Sequence, residues 1–236
     1  MEPESVLVVE AREEWHITLR RRYKESWFDA HFRFSTPAAI VLFAVSIMAN
    51  FYAGAYATKT ASNPVTDIIL SNTPVFDVDF FFIYGALAFI AIIVVLCLWH
   101  PKRIPFTLHA LSLFYFIRAA FVSMTHLASF PDQAAIDTWN FASKLLGEGL
   151  FFSGHTGAPF LMALMYWHKP RLRYLFLALS AFFGVIVLLG HLHYTIDVLS
   201  AFFITYGVYH IALWIFPKER ALFLADELQE STSSSL

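Results

Sequence analysis

The sequence has few charged residues and a single cysteine. Charged side chains make up 14% of its 236 residues, whereas soluble domains have about 25%. The net charge of −2 does not indicate a nucleic-acid partner. The one cysteine, Cys97, excludes an intramolecular disulfide framework. The first 35 residues contain no long apolar run, so we expect no cleavable signal peptide.

Apolar residues are abundant instead. Hydrophobic side chains make up 58% of the chain and aromatic ones 18%, against about 45–50% apolar residues in soluble domains. A helix that crosses a bilayer needs about 20 largely apolar residues. Six segments come close to or meet this requirement, and they are Ala38–Ala57, Val78–Trp99, Phe106–Met124, Leu150–Trp167, Leu172–Leu189 and Ile196–Phe216. We therefore predict an all-α polytopic membrane protein with six transmembrane helices.

The basic residues predict the orientation of these spans. Thirteen of the sixteen Lys and Arg residues lie where six crossings would place them on one side of the membrane, and the exceptions are Lys59, Arg118 and Lys144. Cytoplasmic loops carry such an excess, so both termini are predicted to be cytoplasmic. The expected domains are an N-terminal cytoplasmic or interfacial segment at 1–36, a six-helix catalytic domain at 37–217, and a partly disordered cytoplasmic C-terminal tail at 218–236. For Val6–Phe34, an interfacial amphipathic helix and a solvated helical lead-in both remain open.

Ionisable residues within or at the ends of the spans are candidates for chemistry, because they are costly in a membrane. His155, His193, Asp197, Arg118 and Asp77 all fall at the predicted non-cytoplasmic ends or halves of their spans. Structural polar residues would be expected at both ends. Their restriction to one end predicts a site on the non-cytoplasmic face.

The spacing of three of these residues indicates phosphoester chemistry. His193 and Asp197 are four residues apart, which places them on the same face of a helical turn. A carboxylate bonded to one imidazole nitrogen leaves the other available as a base or nucleophile. His155 follows Ser153 and Gly154 near a predicted helix N-terminus, where backbone N–H groups favour an anion. This set could break a phosphoester through a phosphohistidine without a metal or other cofactor.

For other ionisable residues, a structural role has to be weighed against a functional one. For His109, His126 and His210 a hydrogen bond between helices is the favoured role. For His191 and Asp77 the structural and functional roles are equally favoured, and for Asp79 the structural one is preferred. Arg118 could extend to the membrane surface, but its position inside an apolar run favours phosphate binding. Glu148 is either a partner of the site or an ordinary loop residue.

At these residues the sequence resembles a known family. Ser153-Gly154-His155-Thr156 and His191-Leu192-His193-Tyr194-Thr195-Ile196-Asp197-Val198 are similar to the two catalytic motifs of the sphingomyelin synthase family, within the type 2 phosphatidic acid phosphatase superfamily. The stretch from Arg118 to Leu127 resembles a further motif, and Thr73-Pro74 followed by Asp77 resembles another weakly. The resemblance extends over about residues 74–214.

The resemblance implies six spans, an outward-facing site and a defined role for each catalytic residue. His193 would be the nucleophile, Asp197 would orient it, and His155 would be the acid and base. A phospholipid would donate phosphocholine or phosphoethanolamine to a lipid alcohol such as ceramide or diacylglycerol. The candidates for phosphate or headgroup binding are Arg118, Ser153, Tyr194, Asp77, Glu148 and His191. The location would be a bacterial inner membrane, or a Golgi or plasma membrane, with membrane lipids and no nucleic acid as partners and a homo-oligomer left open.

Two departures from the family keep an alternative open. The family often has Cys-Gly-Asp before its first catalytic motif, but the corresponding stretch here is Leu146-Gly147-Glu148-Gly149. The broader superfamily has an arginine before the second catalytic histidine, and none occurs in Val187–Leu192. Fewer cations suit a phosphodiester with one negative charge better than a phosphomonoester. We therefore favour the transferase, with a lipid-phosphate phosphatase as the alternative. A transporter or scaffold is disfavoured because all three catalytic residues are present and no inverted repeat is detected.

Overall fold

The computed structural model describes residues 17–134 and 150–233, with side chains described as far as residue 227. Within these residues the chain forms helices and loops and contains no strand. Helix α1 covers residues 17–28. The helices that follow are α2 (Ala30–Lys59), α3 (Asp79–Trp99), α4 (Ile104–Met124), α5 (Gly154–Met165), α6 (Pro170–Leu189), α7 (Thr195–Ile215) and α8 (Pro217–Ser233). Short 3₁₀ turns lie at Leu70–Asn72 and Pro101–Arg103.

Among the described residues, five helical segments are long and apolar enough to cross a membrane. They are α2, α3, α6, α7 and α4 together with the 3₁₀ turn before it. These correspond to five of the six predicted spans, and most boundaries agree within two residues. The exception is α2, which begins at Ala30 rather than Ala38 because the side chain of Asp29 caps it, accepting hydrogen bonds from the backbone N–H groups of His31 and Phe32.

The fourth predicted span, Leu150–Trp167, has a shorter helix than expected. Helix α5 contains 12 residues, which gives it a length of about 18 Å, whereas the hydrocarbon core of a bilayer is about 30 Å thick. The prediction of six spans is therefore not confirmed. Ten residues of α5 are buried, so the short helix is surrounded by protein. Such a setting can satisfy irregular backbone at membrane depth.

A glycine allows α5 to pack closely between two of the long helices. A Cβ atom at Gly157 would lie 2.8 Å from a ring carbon of Phe114 in α4 and 2.8 Å from Oγ1 of Thr205 in α7. Any side chain at this position would therefore push the helices apart. Further along α5, Leu161 and Met162 are fully buried in the main apolar cluster. This packing fixes α5, which carries His155, against the helix that carries Asp197.

The helices alternate in direction, so their ends form two separate groups. The starts of α2, α4 and α6 and the ends of α3, α5 and α7 meet around α8, at what we call the basic end. Contacts of α8 that define it include Glu219 with Ser35, Phe223 with Tyr166, and Arg220 with the carbonyl of Met165. The starts of α3, α5 and α7 lie toward the opposite end. That the basic end is cytoplasmic, and both termini with it, stays a prediction.

Most of the segment predicted to be a C-terminal tail is helical and packs on the basic end. Asp226 of α8 is buried, and one of its carboxylate oxygens lies 2.7 Å from Nε of Arg103 and 2.7 Å from Nδ1 of His100. Phe223, one turn earlier, is fully buried against Phe106. An apolar residue and a buried ionic cluster thus hold α8 in place. The domain boundaries themselves stay predictions.

We expect Asp226→Ala to destabilise the protein by about 3 kcal/mol, because it removes the carboxylate of a buried ion pair and keeps the buried guanidinium of Arg103. The measurement is the thermal unfolding midpoint in detergent. Glu25→Ala is the matched control, since Glu25 pairs with Arg21 in an exposed i,i+4 contact that contributes about 0–1 kcal/mol. Equal midpoints for the two variants would contradict the structural role of Asp226.

The same cluster predicts a pH dependence. Partial burial raises the pKa of Asp226, but the hydrogen bond with His100 and the charge of Arg103 lower it by more, so the pKa lies below its ordinary value. The stabilisation is therefore complete above the ordinary carboxyl pKa and is lost only as the pH falls through the lowered one. We expect the difference in unfolding midpoint between wild type and Asp226→Ala to stay constant from pH 8 to pH 5. A difference that shrinks within this range would contradict a lowered pKa of Asp226.

Candidate active site

The turn that leads into α7 joins His193 to Asp197. The carboxylate of Asp197 is completely buried. Its Oδ2 accepts a hydrogen bond from the backbone N–H of Tyr194 at 3.0 Å and lies 3.3 Å from Nδ1 of His193. The four-residue spacing therefore produces the contact that it predicts. Because Nδ1 faces the carboxylate, Nε2 is the imidazole nitrogen available to attack a substrate.

The start of α5 lies beside this pair. Ser153 caps the helix, because its hydroxyl oxygen accepts a hydrogen bond from the N–H of Thr156. The backbone N–H of Ser153 also donates to the carbonyl of Asp197 at 3.1 Å. This bond connects the two histidine motifs directly through the backbone. The N–H groups of the first turn of α5, with the positive end of the helix dipole, are suited to bind an anion.

His155 is the second residue of α5, and its imidazole packs between aromatic rings. The ring stacks on Phe82 of α3, with centroids 4.0 Å apart, and also contacts Phe183 of α6. Its Nε2 is buried and has no hydrogen-bond partner among the residues that the structure describes. His155 is close enough to His193 and Arg118 to interact electrostatically with both. A ring held by stacking with an unbonded nitrogen is suited to proton transfer.

Arg118 places a guanidinium next to the start of α5. Its Nε donates to the carbonyl of Phe152 at 3.0 Å, and one terminal nitrogen donates to Oδ1 of Asn50 at 2.8 Å. A Cβ atom at Gly154 would lie 3.3 Å from the Arg118 Nε, so the side chain passes alongside the helix N-terminus. The charge of Arg118 and the N–H groups of α5 therefore favour an anion at the same place.

The predicted binding residues differ in how close they come to this centre. Ser153 is in it. The hydroxyl of Tyr194 points away, donating to the carbonyl of Ala128 and accepting from the N–H of Val65. Asp77 is exposed, and its carboxylate accepts a hydrogen bond from the N–H of Asp79 near the start of α3. Headgroup contacts by Tyr194 and Asp77 stay predictions.

The two remaining candidates for headgroup binding are His191 and Glu148. His191 is buried in the left-handed backbone conformation (φ 54°), which is uncommon for residues other than glycine. Its ring contacts Phe130, and Nε2 lies 3.5 Å from the hydroxyl of Thr73. These contacts join the turn before α7 to two loops rather than to His155. Glu148 lies outside the described residues.

Sequence analysis missed two residues that contact the site. Asn50, in the middle of α2, accepts a hydrogen bond from Arg118. A lone buried amide within an apolar run could have indicated it. Asp67, in the loop between α2 and α3, accepts hydrogen bonds from Thr195. It lies in a polar loop where an aspartate is unremarkable, so no local signal pointed to it.

The catalytic residues are enclosed by protein. Their exposed fractions are 8% for His155, 5% for His193 and 0% for Asp197. A cavity of about 670 Å³ lies at the basic end instead, between the end of α3 and the start of α6, and includes Trp99 and Arg171 in its lining. It is separate from the histidines. The three side chains are therefore mostly inaccessible from the surface in this structure.

We expect Arg118→Ala to lower kcat/KM for a phospholipid donor by about 10²–10³-fold, as is typical when a donor that stabilises transition-state charge is removed. The measurement is the initial rate at several donor concentrations. Lys59→Ala is the matched control, because Lys59 is an exposed cation at the end of α2. An unchanged kcat/KM in Arg118→Ala would exclude Arg118 from the site.

One of three comparisons with known proteins found a match. Residues 149–214 match the family model described as PAP2 superfamily C-terminal. No curated protein and no solved structure matches the chain. The matched region includes His155, His193 and Asp197, and it contains α5 and α6 and all of α7 except its last residue. The match supports assignment to the type 2 phosphatidic acid phosphatase superfamily and thereby an integral membrane enzyme of the lipid phosphatase or phosphotransferase type, while membership of the sphingomyelin synthase family is not confirmed.

Proposed function

We propose that the protein is a lipid phosphotransferase that moves a phospho-headgroup from a glycerophospholipid to a lipid alcohol such as ceramide. The observation that carries the proposal is the contact of His193 with the buried carboxylate of Asp197. A histidine held in this way can form a phosphohistidine. Its position beside the start of α5 and Arg118 provides a place for the phosphate.

The first half-reaction transfers the headgroup to the enzyme. Nε2 of His193 attacks phosphorus, the P–N bond forms, and the bond from phosphorus to the glycerol oxygen breaks. Protonated His155 gives its proton to that oxygen, so diacylglycerol leaves as a neutral alcohol. Asp197 stabilises the positive charge that develops on the His193 imidazole. Arg118 and the N–H groups of α5 stabilise the additional negative charge on the phosphate oxygens.

The second half-reaction reverses these roles. His155, now neutral, takes the proton from the hydroxyl of the acceptor. The acceptor oxygen attacks phosphorus, the P–N bond breaks, and His193 is regenerated. Because one histidine serves first as acid and then as base, the reaction needs no metal or other cofactor. Water in place of the lipid alcohol would give slow hydrolysis of the donor.

The alternative is a lipid-phosphate phosphatase that uses the same three residues. The number of cations distinguishes the two. Arg118 is the lysine or arginine side chain that the described residues show beside the start of α5. One cation balances a phosphodiester with a single negative charge better than a phosphomonoester with nearly two. This supports the transferase over the phosphatase.

We place the site on the non-cytoplasmic side of the membrane. The start of α5 lies toward the end opposite the basic end, and the basic end carries most of the arginine and lysine residues, including Arg103 and Arg220. Positively charged ends of membrane helices face the cytoplasm. The substrates would therefore be lipids of the outer or lumenal leaflet.

The decisive experiment is a lipid-product assay on the purified protein in sealed vesicles. Phosphatidylcholine and phosphatidylethanolamine are supplied as donors, each with and without ceramide or diacylglycerol, and phosphatidic acid is tested in parallel. A headgroup product that requires a lipid acceptor is expected. Free phosphate from phosphatidic acid, with no transfer, would establish the phosphatase. Product confined to lipids of the leaflet next to the basic end would contradict the proposed orientation.

A further inference from the structure

Asp67 connects the loop between α2 and α3 to the first residue of α7. The carboxylate is buried. Its Oδ2 accepts a hydrogen bond of 2.7 Å from the backbone N–H of Thr195, and its Oδ1 accepts one of 2.7 Å from the hydroxyl of the same residue. The Oδ1 atom also accepts bonds from the N–H groups of Ile69 and Leu70, at 2.9 and 3.2 Å. Both oxygens therefore accept hydrogen bonds, three at Oδ1 and one at Oδ2.

This arrangement gives α7 a cap from a distant part of the chain. The first N–H groups of a helix have no partner within the helix and need an acceptor. Asp197 supplies one for Tyr194, and Asp67 supplies the one for Thr195. Thr195 lies two residues after His193 and two before Asp197. The bonds from Asp67 therefore act on the middle of the segment that sets the geometry of the catalytic pair.

Tyr194 provides a second attachment on the other side of the turn. Its hydroxyl accepts from the N–H of Val65, in the same loop as Asp67, and donates to the carbonyl of Ala128. The backbone of Phe76, near the end of that loop, donates to the carbonyl of Leu189 at the end of α6. The loop is therefore fixed on both flanks of the turn, which makes it a rigid support.

The electrostatics of Asp67 fit a permanent anchor. Partial burial raises the pKa of Asp67, but hydrogen bonds from the backbone and side chain of Thr195, and from the N–H groups of Leu70 and Ile69, lower it by more. Its pKa therefore lies below the ordinary value, and the carboxylate is charged at every pH at which the protein would work. A negative charge at the start of α7 also interacts favourably with the helix dipole.

We propose that Asp67 is a positioning residue for phosphohistidine formation, which holds the start of α7 so that Asp197 and His193 keep their contact. The proposal rests on the proposed function. It predicts that Asp67 acts on the chemical step and not on donor binding, because none of its four hydrogen bonds involves a residue at the start of α5. Small displacements of a catalytic group are costly, with about 1 Å corresponding to as much as 10²-fold in rate.

The first test compares Asp67→Asn with wild type in single-turnover experiments, using a donor labelled in its headgroup phosphate. An amide has one acceptor oxygen, which we expect at the place of Oδ1 with its three donors, so its NH₂ group would face the backbone N–H of Thr195. We expect phosphohistidine formation to slow by about tenfold to a hundredfold, with an unchanged final amount of labelled protein. In steady state, kcat should fall and KM should stay the same. Asp132→Asn, an exposed aspartate at the same end of the bundle, is the matched control.

The amplitude separates positioning from stability. If Asp67 only helps the protein to fold, the variant will contain fewer active molecules, which react at the wild-type rate. A reduced amplitude with an unchanged rate therefore overturns the proposal. A reduced rate with full amplitude supports it.

A double-mutant cycle tests whether Asp67 acts through Thr195. Thr195→Val removes the hydroxyl that donates to Asp67 and keeps the backbone N–H. If both residues act through one contact, the double variant will be slowed by less than the product of the two single effects. Strictly multiplicative effects would contradict the proposed route.

A measurement without substrate keeps this test separate from the proposed function. Hydrogen exchange of the peptide that contains residues 193–198 should be faster in Asp67→Asn, because the Thr195 amide loses its acceptor. Exchange equal to that of wild type overturns the Asp67 proposal, whatever the activity. A wild-type protein that forms no phosphohistidine, but in which Asp67→Asn exchanges faster, overturns the proposed function and keeps Asp67 as the anchor of α7. If the wild-type protein instead hydrolyses phosphatidic acid, water is the acceptor. Asp67→Asn must then still slow phosphohistidine formation.

Discussion

His193→Ala is expected to abolish headgroup transfer, with a loss of at least about 10⁴-fold in kcat. Nδ1 of the His193 imidazole lies 3.3 Å from Asp197, which leaves Nε2 as the proposed nucleophile, and alanine has no group that could form a covalent intermediate. Without that intermediate, donor and acceptor would have to react directly in a buried site. The measurement is transfer of labelled headgroup to the lipid acceptor, followed together with the labelling of the protein itself.

The control for this variant lies on the same chain segment. His210→Ala removes an exposed histidine near the far end of α7, whose ring contacts Tyr206 and Tyr209. We expect nearly wild-type activity, because His210 lies about four turns from His193. Both variants should keep the wild-type unfolding midpoint within a few degrees. Full transfer by His193→Ala, or labelled phosphohistidine in it, would refute the assigned nucleophile.

Asp197→Asn is expected to reduce the rate of phosphohistidine formation by about 10⁴-fold, by analogy with the loss when the carboxylate of a catalytic triad becomes an amide. The amide oxygen will keep the bond from the N–H of Tyr194, since that donor has no nearer acceptor. That oxygen is also the one that faces Nδ1 of His193, so the contact can remain. The amide is neutral, however, and no longer stabilises the positive charge that develops on the His193 imidazole when it attacks phosphorus.

The Asp197→Asn variant also tests whether the carboxylate is structural. The amide has almost the same shape, and the buried Oδ1 of Asp197 has no hydrogen-bond partner among the described residues. The unfolding midpoint should therefore change little while activity falls. A rate within tenfold of wild type would show that His193 does not depend on Asp197. A large loss of stability with normal activity per folded molecule would make Asp197 a structural residue.

The family match supports this type of chemistry but does not identify the lipid substrate. Residues 149–214 include the catalytic residues but not Arg118 or Asp67. Of the predicted binding residues, Ser153, His191 and Tyr194 lie inside the matched region, and Arg118, Asp77 and Glu148 lie outside it. The lipid-product assay therefore decides substrate identity, while the variants at His193 and Asp197 decide the mechanism.

Much of the fold could be predicted because hydropathy is a local property. Leu172–Leu189 was predicted as a span, and α6 is Pro170–Leu189. The pair His193 and Asp197 was also predictable from its spacing, although the contact forms in the turn at the start of α7, where Asp197 reaches back toward Tyr194 and His193. Helix α5 was harder, because its length is limited by Ser153, which caps it, and by tertiary packing around Gly157. A hydropathy pattern does not distinguish a short buried helix from the start of a span.

The sequence by itself determined that this is a helical membrane protein, where most helices lie, and which histidines and which aspartate could form a catalytic set. Tertiary structure alone brought Asp67 to Thr195, Asn50 to Arg118, and Asp226 to Arg103. These partners are separated by 128, 68 and 123 residues along the chain. Hydropathy and helical spacing act over a few turns, whereas a contact across such separations depends on how the whole bundle packs. The catalytic pair is local for that reason, and its support is not.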